Sequence, residues 1–341
     1  MPRSSAAARI PGRYKTDCAD FVVDEVPAYE PSGEGEHLFL RIEKTGLSTL
    51  DAVALLGRAL GRRDREFGIA GLKDARAVAR QWISIDGVDP ERAVALSAPG
   101  LRVLEVHRHG NKLKMGHLRG NRFSILVEGA GPEHAEAAQA ILDDLTARGV
   151  PNYFGEQRFG KRGANLDKGL RILCGNPRKA ARTMPRRLLG LVVSAVQSEV
   201  FNGVVRRRLG SLDTMFQGDV AWLHRNGACF VVADAAREAP RCARLEISPS
   251  GPLPGPKILR PEGEPGAIEA EVQAELGIDP AWFGRMPRGT HDGARRPLRA
   301  PVGEARLQVE PRGLRLEFEL PRGSYATSVL REVLRDSPWF G

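Results

Sequence analysis

EHLFLRIEKTGLSTLDAVALLGRAL, residues 36–60, decides the fold class. Its first eight residues alternate. Leu38, Leu40 and Ile42 fall on one side and His37, Phe39 and Arg41 on the other, the period of a strand half-buried on a sheet. Ser48 then opens a different rhythm. Ser48 and Asp51 stand at the spacing of reciprocal N-terminal capping, and Leu50, Val53, Leu56 and Leu60 recur as an inward helical stripe. The same order, strand then helix, returns near the other end. There Leu314, Leu316, Phe318 and Leu320 alternate with Arg315, Glu317 and Glu319, and a helix is expected over 327–334.

Between these ends, Ile83 and Ile85 predict a strand entered from the Asp74 region. Leu104 and Val106 with Leu113 and Met115 predict a hairpin around Gly110-Asn111. Phe123, Ile125 and Val127 predict a further strand. Pro132 and Glu133 open a helix with Ala138, Ile141, Leu142 and Leu145 inward and Gly149 as its C-terminal cap. After Val150 the texture changes. Residues 152–299 read as richer in loops, glycine and proline, with helices over 189–209 and 267–276, and ISPSGPLPGPK (247–257) reads as irregular because of its prolines. The expected architecture is α+β: a catalytic domain with a mixed, largely antiparallel sheet, its parts at 1–151 and 300–341, interrupted by an α/β segment at 152–299. The basic start, MPRSSAAARIPGRYK, reads as a flexible lead that orders near Lys15 and lacks the apolar core of a secretory signal.

The bulk numbers agree with a soluble two-domain protein. The chain has 341 residues, more than one ordinary core holds, with 42% apolar and 27% charged residues. No apolar run is read as approaching the roughly 20 residues that cross a bilayer. Cys18, Cys174, Cys229 and Cys242 form no CxxC pair, which argues against a disulfide framework or zinc site and fits a reducing cytoplasm. A net charge of +9 favours polyanionic partners. No GxxxxGK[ST] or GxGxxG stands in the right context, so nucleotide hydrolysis and dinucleotide chemistry find no support. His291 and Asp292 adjoin without a second ligand pair, so no metal site is expected.

Four segments carry candidate chemistry. In Gly71-Leu72-Lys73-Asp74, local pattern alone makes Asp74 a turn or cap residue. The catalytic alternative needs an ionised carboxylate in a cleft with cations beside it, and Lys73 and Arg76 flank it. In HLRGNRF (117–123), Gly120 permits close approach of a ligand, Asn121 offers donors and acceptors, and Phe123 offers a stacking face. The same letters also spell a turn glycine before a buried strand. In VPNYFGEQRFG (150–160), aromatics beside Arg158 suit RNA or a packed connector. In LPRGSYATSVLRE (320–332), a strand ends, Gly323 turns the chain, and a helix start offers amides to a phosphate or is simply capped by Ser324 or Thr327. Arg186-Arg187, Arg206-Arg207-Arg208 and Arg295-Arg296 are either solvated helix ends or an RNA footprint.

These four segments, in this order and spacing, resemble the TruD family of tRNA pseudouridine synthases over nearly the whole chain. AGLKDARAVARQW (70–82) is among the most specific pieces, and QSEVFN (197–202), GDVAWL (218–223) and GARRPL (293–298) are also similar to the family. The resemblance implies a pseudouridine synthase catalytic domain with a TruD domain inserted at about 152–299. It implies a uridine substrate in tRNA, at position 13 in bacterial members. It makes Asp74 the catalytic aspartate and places Lys15, Phe21, Asn121, Phe123 and Tyr325 around the uridine. Arg158, Arg186, Arg187, Arg295 and Arg296 are expected on the RNA, with no cofactor, no metal, no membrane and no obligatory protein partner, in a cytoplasmic monomer. Ala79 stands where the family often has threonine, and Tyr325 where phenylalanine is common; neither removes a reacting group. A non-catalytic RNA-binding protein, another type of RNA-modifying enzyme such as a methyltransferase, and a small-molecule α+β enzyme are the rival readings. The intact Asp74 motif opposes the first, and the lack of a glycine-rich cofactor loop opposes the second.

Overall fold

The structure, a computed structural model, describes residues 8–287 and 291–334. The first seven residues of the expected flexible lead, and the end of the 300–341 segment beyond Leu334, lie outside the described residues. Order begins before Lys15. Ile10 is fully buried and bridges to Leu334, and the Arg13 amide donates to the Glu128 carbonyl at 2.9 Å.

The described residues form two compact units. One holds 8–143, 302–323 and 333–334. Its sheet runs in the order Gly303–Glu310, Gly313–Pro321, Leu118–Glu128, Phe21–Pro27, Val78–Asp86, His37–Thr45, Leu101–His109, Ser97–Ala98, with Gly68–Ile69 beside Val78–Asp86. Only Phe21–Pro27 and Val78–Asp86 pair parallel. The other pairs are antiparallel, so the sheet is mixed and largely antiparallel.

Leu38, Leu40 and Ile42 face helix Thr49–Leu60, whose Ala52, Val53, Leu56 and Leu60 close over them together with Ile83 and Ile85. Each such large apolar side chain contributes about 1.5–3 kcal/mol when buried. Ser48 and Asp51 cap the helix reciprocally, both bonds at 3.1 Å. Leu50, expected inward, lies exposed. The adjacent Thr49 takes the inward place because its hydroxyl has a buried partner in Gln81. The expected hairpin at Gly110-Asn111 does not form. Leu101–His109 pairs with His37–Thr45 instead, and residues 113–115 are not a strand. The Leu113 amide is satisfied by Ser84 Oγ at 2.8 Å, so it needs no partner strand. Alternation marks a strand but does not name its neighbour.

The other unit holds 144–301 and 324–332. Its core is built around helix Arg186–Arg207, whose Val192, Val196, Val200, Phe201 and Val204 pack with Leu173, Val272, Phe283 and Leu298. By length and composition this 22-residue helix is apolar enough to cross a membrane, contrary to the reading that no stretch comes close. It is the core helix of its unit: 72% of its most apolar window is buried. The segment read as loop-rich is helical over Ala164–Cys174, Pro177–Thr183 and Ala235–Ala243 as well, and the helix expected over 267–276 is Gly263–Glu275. Its sheet, ordered Cys229–Val231, Val220–Leu223, Ile247–Leu253, Ala294–Pro297, is antiparallel throughout, so this unit is α+β rather than built on βαβ crossovers.

Ile247–Leu253, read as irregular for its prolines, is an inner strand of that sheet. The two neighbours each pair with only part of it. The Pro249 carbonyl still accepts from the Leu298 amide at 2.9 Å, so proline costs the ladder a donor but not an acceptor.

Candidate active site

The segment Gly71 to Asp74 is not a regular element, yet it is fastened at almost every residue. The Gly116 amide donates to the Ala70 carbonyl at 2.7 Å, and Gln81 Nε2 to the Gly71 carbonyl at 3.4 Å. The Lys73 amide donates to Thr49 Oγ1 at 2.8 Å, and that hydroxyl donates onward to Gln81 Oε1 at 2.9 Å. Lys73 Nζ enters the interior and pairs with Glu25 Oε2 at 2.5 Å, while Glu25 Oε1 accepts from the Trp82 amide at 3.2 Å. Lys44 Nζ, fully buried, donates to the main-chain carbonyls of Asp74 at 2.7 Å and Leu47 at 2.6 Å. Burial pulls the Lys44 ammonium down to about 8; the Asp74 charge opposes that fall, and Lys73 adds to it.

Where the main chain of Asp74 is held, its side chain is open. The carboxylate keeps 45% of its surface exposed and meets Lys15 Nζ at 2.5 Å. Lys15 reaches it from a left-handed backbone (φ 60), a rare conformation for a side-chain-bearing residue that costs about 1–3 kcal/mol where it is held. Its ammonium also sits 4.0 Å from the centre of the Phe21 ring, a cation–π seat that fixes the direction of the pair. The partner cation of Asp74 is therefore Lys15. Lys73 and Arg76, the sequence neighbours expected to flank the carboxylate, turn elsewhere. Lys73 goes to Glu25, and Arg76 Nη2 donates to the Thr16 carbonyl at 2.9 Å.

Phe21, Phe123 and Asn121 share one face of the sheet, since Val23 lies opposite Phe123 and Glu25 opposite Asn121. Phe21 and Phe123 meet edge to face at 6.1 Å, and Phe123 lies 5.4 Å from Phe318. Both Phe21 and Phe123 are buried, so they form a floor under Lys15 rather than two free stacking faces. Asn121 Oδ1 is buried and has no hydrogen-bond partner among the described residues, an unmet acceptor beside Glu25. Gly120, expected to admit a ligand, instead admits its own sheet. A Cβ there would stand 2.4 Å from the Leu320 carbonyl oxygen. Tyr325 belongs to the other unit, 38% exposed just before helix Ala326–Val333, and its carbonyl accepts from the Ser328 amide at 2.9 Å.

The five arginines expected on RNA divide. Arg186 and Arg187 are exposed at the start of their helix. Arg158 and Arg296 both lie over the Phe154 ring, at 5.0 Å and 4.2 Å, and Arg296 Nη2 donates to Asn152 Oδ1 at 2.5 Å. Burial lowers the Arg296 guanidinium to about 10. Arg295 is buried and forks onto Glu269 at 2.7 and 3.1 Å, so it is a packing group and does not face RNA. Tyr153 and Phe154 are buried too, which makes residues 150–160 a packed connector. Each member of the triple arginine holds a carboxylate: Arg208 is buried on Asp219, Arg206 is half-buried on Glu199, and Arg207 makes an exposed pair with Glu271.

Lys44, Glu25 and Thr49 were missed from sequence, although period-two counting points to two of them. Lys44 continues the inward series Leu38, Leu40, Ile42, and Glu25 continues Phe21, Val23. A charged residue at the end of a buried series is the signal.

A family model described as tRNA pseudouridine synthase D (TruD) matches residues 4–184 and 173–333. The chain belongs to the TruD family of tRNA pseudouridine synthases. It is 44% identical to a tRNA pseudouridine synthase D of Geobacter metallireducens, over 95% of both chains. It is 44% identical to one of Thermus thermophilus, over 95% of this chain and 89% of the other. A solved structure, a putative TruD from Methanosarcina mazei, superposes with a TM-score of 0.80 at 25% identity, covering 100% of this chain and 97% of that one. Against the TruD background, the fastened loop with an open carboxylate at its tip becomes the place to look for chemistry.

Proposed function

We propose that this chain isomerises uridine in tRNA to pseudouridine, at position 13, with Asp74 as its catalytic carboxylate. One observation carries the assignment of the residue: the Asp74 main chain is clamped by Lys44 while its carboxylate stands open beside Lys15. A carboxylate needed only as a cap would bond the backbone amides next to it; this one points at a cation and at solvent.

The reaction cuts the N1–C1′ bond of uridine, turns the base, and rejoins it through C5, with no atom gained or lost. Two routes use the same group. Asp74 attacks C1′, or it removes a proton from C2′ to give a glycal; in either, the carboxylate then helps take the proton from C5. Lys15 orients the carboxylate and keeps a positive charge next to it. Asn121 supplies the uracil edge with a hydrogen-bonding partner through the amide whose oxygen lacks one, and Phe21 and Phe123 form the apolar floor beneath the base. A uridine inside folded RNA leaves its stack to reach the carboxylate. The TruD segment at 152–299 is read as an insertion into the catalytic chain. A cytoplasmic monomer suits four unpaired cysteines and a free RNA substrate.

The test is release of tritium from tRNA labelled at uridine C5. Asp74→Asn is expected to release none while binding tRNA as wild type does. Wild-type turnover in that variant removes Asp74 from the mechanism, and pseudouridine at position 13 persisting in cells without this protein removes the site assignment on the RNA.

A further inference from the structure

The positive charge of this chain is not spread over it. Residues 161–191 hold nine Lys and Arg against one Asp, while the whole chain carries +9. The rest of the molecule is therefore close to neutral. All nine cations are exposed, and none forms an ion pair among the described residues. Several cations elsewhere are paired: Arg41, Arg80, Arg148, Arg206, Arg208 and Arg312 each hold a carboxylate.

Seven of the nine lie on three consecutive helices of one unit, and Lys161 and Arg162 on the short turn Lys161–Gly163 just before them. Leu166, Leu170 and Leu173 of Ala164–Cys174, Ala180 and Ala181 of Pro177–Thr183, and Leu188 and Leu189 of Arg186–Arg207 all turn into the same core. What remains outward is Arg171, Arg178, Lys179, Arg182, Arg186 and Arg187 together with the cations just before them. Two of these stand where helix electrostatics disfavours them. Arg186 and Arg187 occupy the first turn of a 22-residue helix that has no side-chain cap and no acidic residue there. Charge at that end interacts with the macrodipole by about 0.3–1 kcal/mol, and cations take the unfavourable sign. The fold gains nothing from their charge.

We propose that this three-helix face is the surface on which the phosphodiester backbone of the tRNA docks. A run of phosphates neutralises mutual repulsion among the cations, offsets the helix-end penalty, and releases counterions on binding. The face reads backbone and not sequence, because it offers charge without an exposed aromatic among the cations. The proposal rests on the tRNA reading of the chain and adds where the RNA is held.

The test uses the full chain with Arg178→Gln, Lys179→Gln, Arg182→Gln, Arg186→Gln and Arg187→Gln combined, and a second version with the four arginines changed to Lys. Anisotropy of labelled tRNA is followed across a salt series, and tritium release gives kcat and KM. In the Gln version, affinity and KM weaken about tenfold or more, the slope of log affinity against log salt falls by about 0.9 for each phosphate no longer neutralised, and kcat at saturating tRNA stays within about twofold. The Lys version, keeping charge, retains the wild-type slope. A wild-type slope in the Gln version overturns the proposal, as does equal loss in both versions, which would mark a packing role. If wild type released no tritium from tRNA, the catalytic reading would fail; the salt slopes would still decide the docking face.

Discussion

Lys44 Nζ, with no exposure to solvent, donates to the main-chain carbonyl of Asp74 at 2.7 Å. The candidate catalytic loop thus hangs from a buried ammonium on strand His37–Thr45 of the same sheet, and Lys15 sets the side chain from its open side. Lys44→Met removes the clamp and leaves the Leu47 and Asp74 carbonyls without their donor. Misplacement of a reacting group by about 1 Å costs on the order of 10²-fold in rate, so kcat is expected to fall by about that much with tRNA affinity unchanged. Single-turnover tritium release checks it. The same variant has a stability signature. Lys44 titrates near 8 in the folded chain against an ordinary 10.5, with Asp74 and Asp51 favouring its charge and burial and Lys73 opposing it. Between about pH 8 and 10.5 the unfolded chain binds more proton than the folded one, so the Lys44 contribution to stability rises with pH and is absent in Lys44→Met. Urea unfolding of both proteins across that window measures the difference.

The Glu25–Lys73 pair tests whether the loop is held from inside. Both side chains are nearly sealed from solvent. Lys73→Met alone leaves a buried carboxylate unmatched and is expected to cost about 3–5 kcal/mol in denaturant unfolding. Glu25→Leu with Lys73→Met removes both charges and is expected to regain most of that loss. A single variant as stable as wild type would show that the pair contributes nothing.

The strands that face the core were legible because their alternation is strict. Leu314, Leu316, Phe318 and Leu320 are all buried, as the pattern requires, and so are Leu38, Leu40 and Ile42. What alternation hid was partnership. Nothing in residues 101–109 says that they pair with 37–45 and not with 113–115, since that choice is made by residues far away along the chain. Pro249 and Pro252 hid a strand for a related reason: local chemistry marks a missing donor, but whether a donor is needed depends on the neighbouring strand. At the site, Asp74 and Lys15 were legible through family pattern, 59 residues apart and joined only by folding. Lys73 misled because proximity along a chain is not proximity in space: its Nζ enters the interior toward Glu25.

Arg295 separates packing from RNA binding. Its guanidinium donates to both Glu269 oxygens and to Ser250 Oγ, and burial raises the proton affinity of Glu269 against the pull of Arg295. Arg295→Met is expected to destabilise by about 3–5 kcal/mol, because the Glu269 carboxylate loses its partner. The salt slope of tRNA binding is expected to stay at the wild-type value, in contrast to the exposed cations of residues 161–191. A reduced slope with unchanged stability would return Arg295 to the RNA surface.

His224 gives the second unit an acid-sensitive point. Its ring lies 2.9 Å from Ser248 Oγ, and burial, aided by the Arg299 charge, pushes it down to about 4. Arg299 is itself buried, donating to Ser248 Oγ and to the carbonyls of Arg148 and Cys242, so it is not free to move away when the ring charges. The folded value lies below the ordinary 6.5, so the unfolded chain takes the proton first. The stabilising contribution is whole above about pH 6.5 and is lost as pH falls through about 4, a span worth on the order of 3 kcal/mol. His224→Gln keeps a hydrogen-bonding partner for Ser248 and cannot titrate. It is expected to flatten the stability profile between pH 6.5 and 4 while leaving stability at pH 7.5 within about 1 kcal/mol of wild type. Urea midpoints measured at half-unit steps across that range decide it: an equally steep acid loss in His224→Gln would assign the sensitivity to other groups.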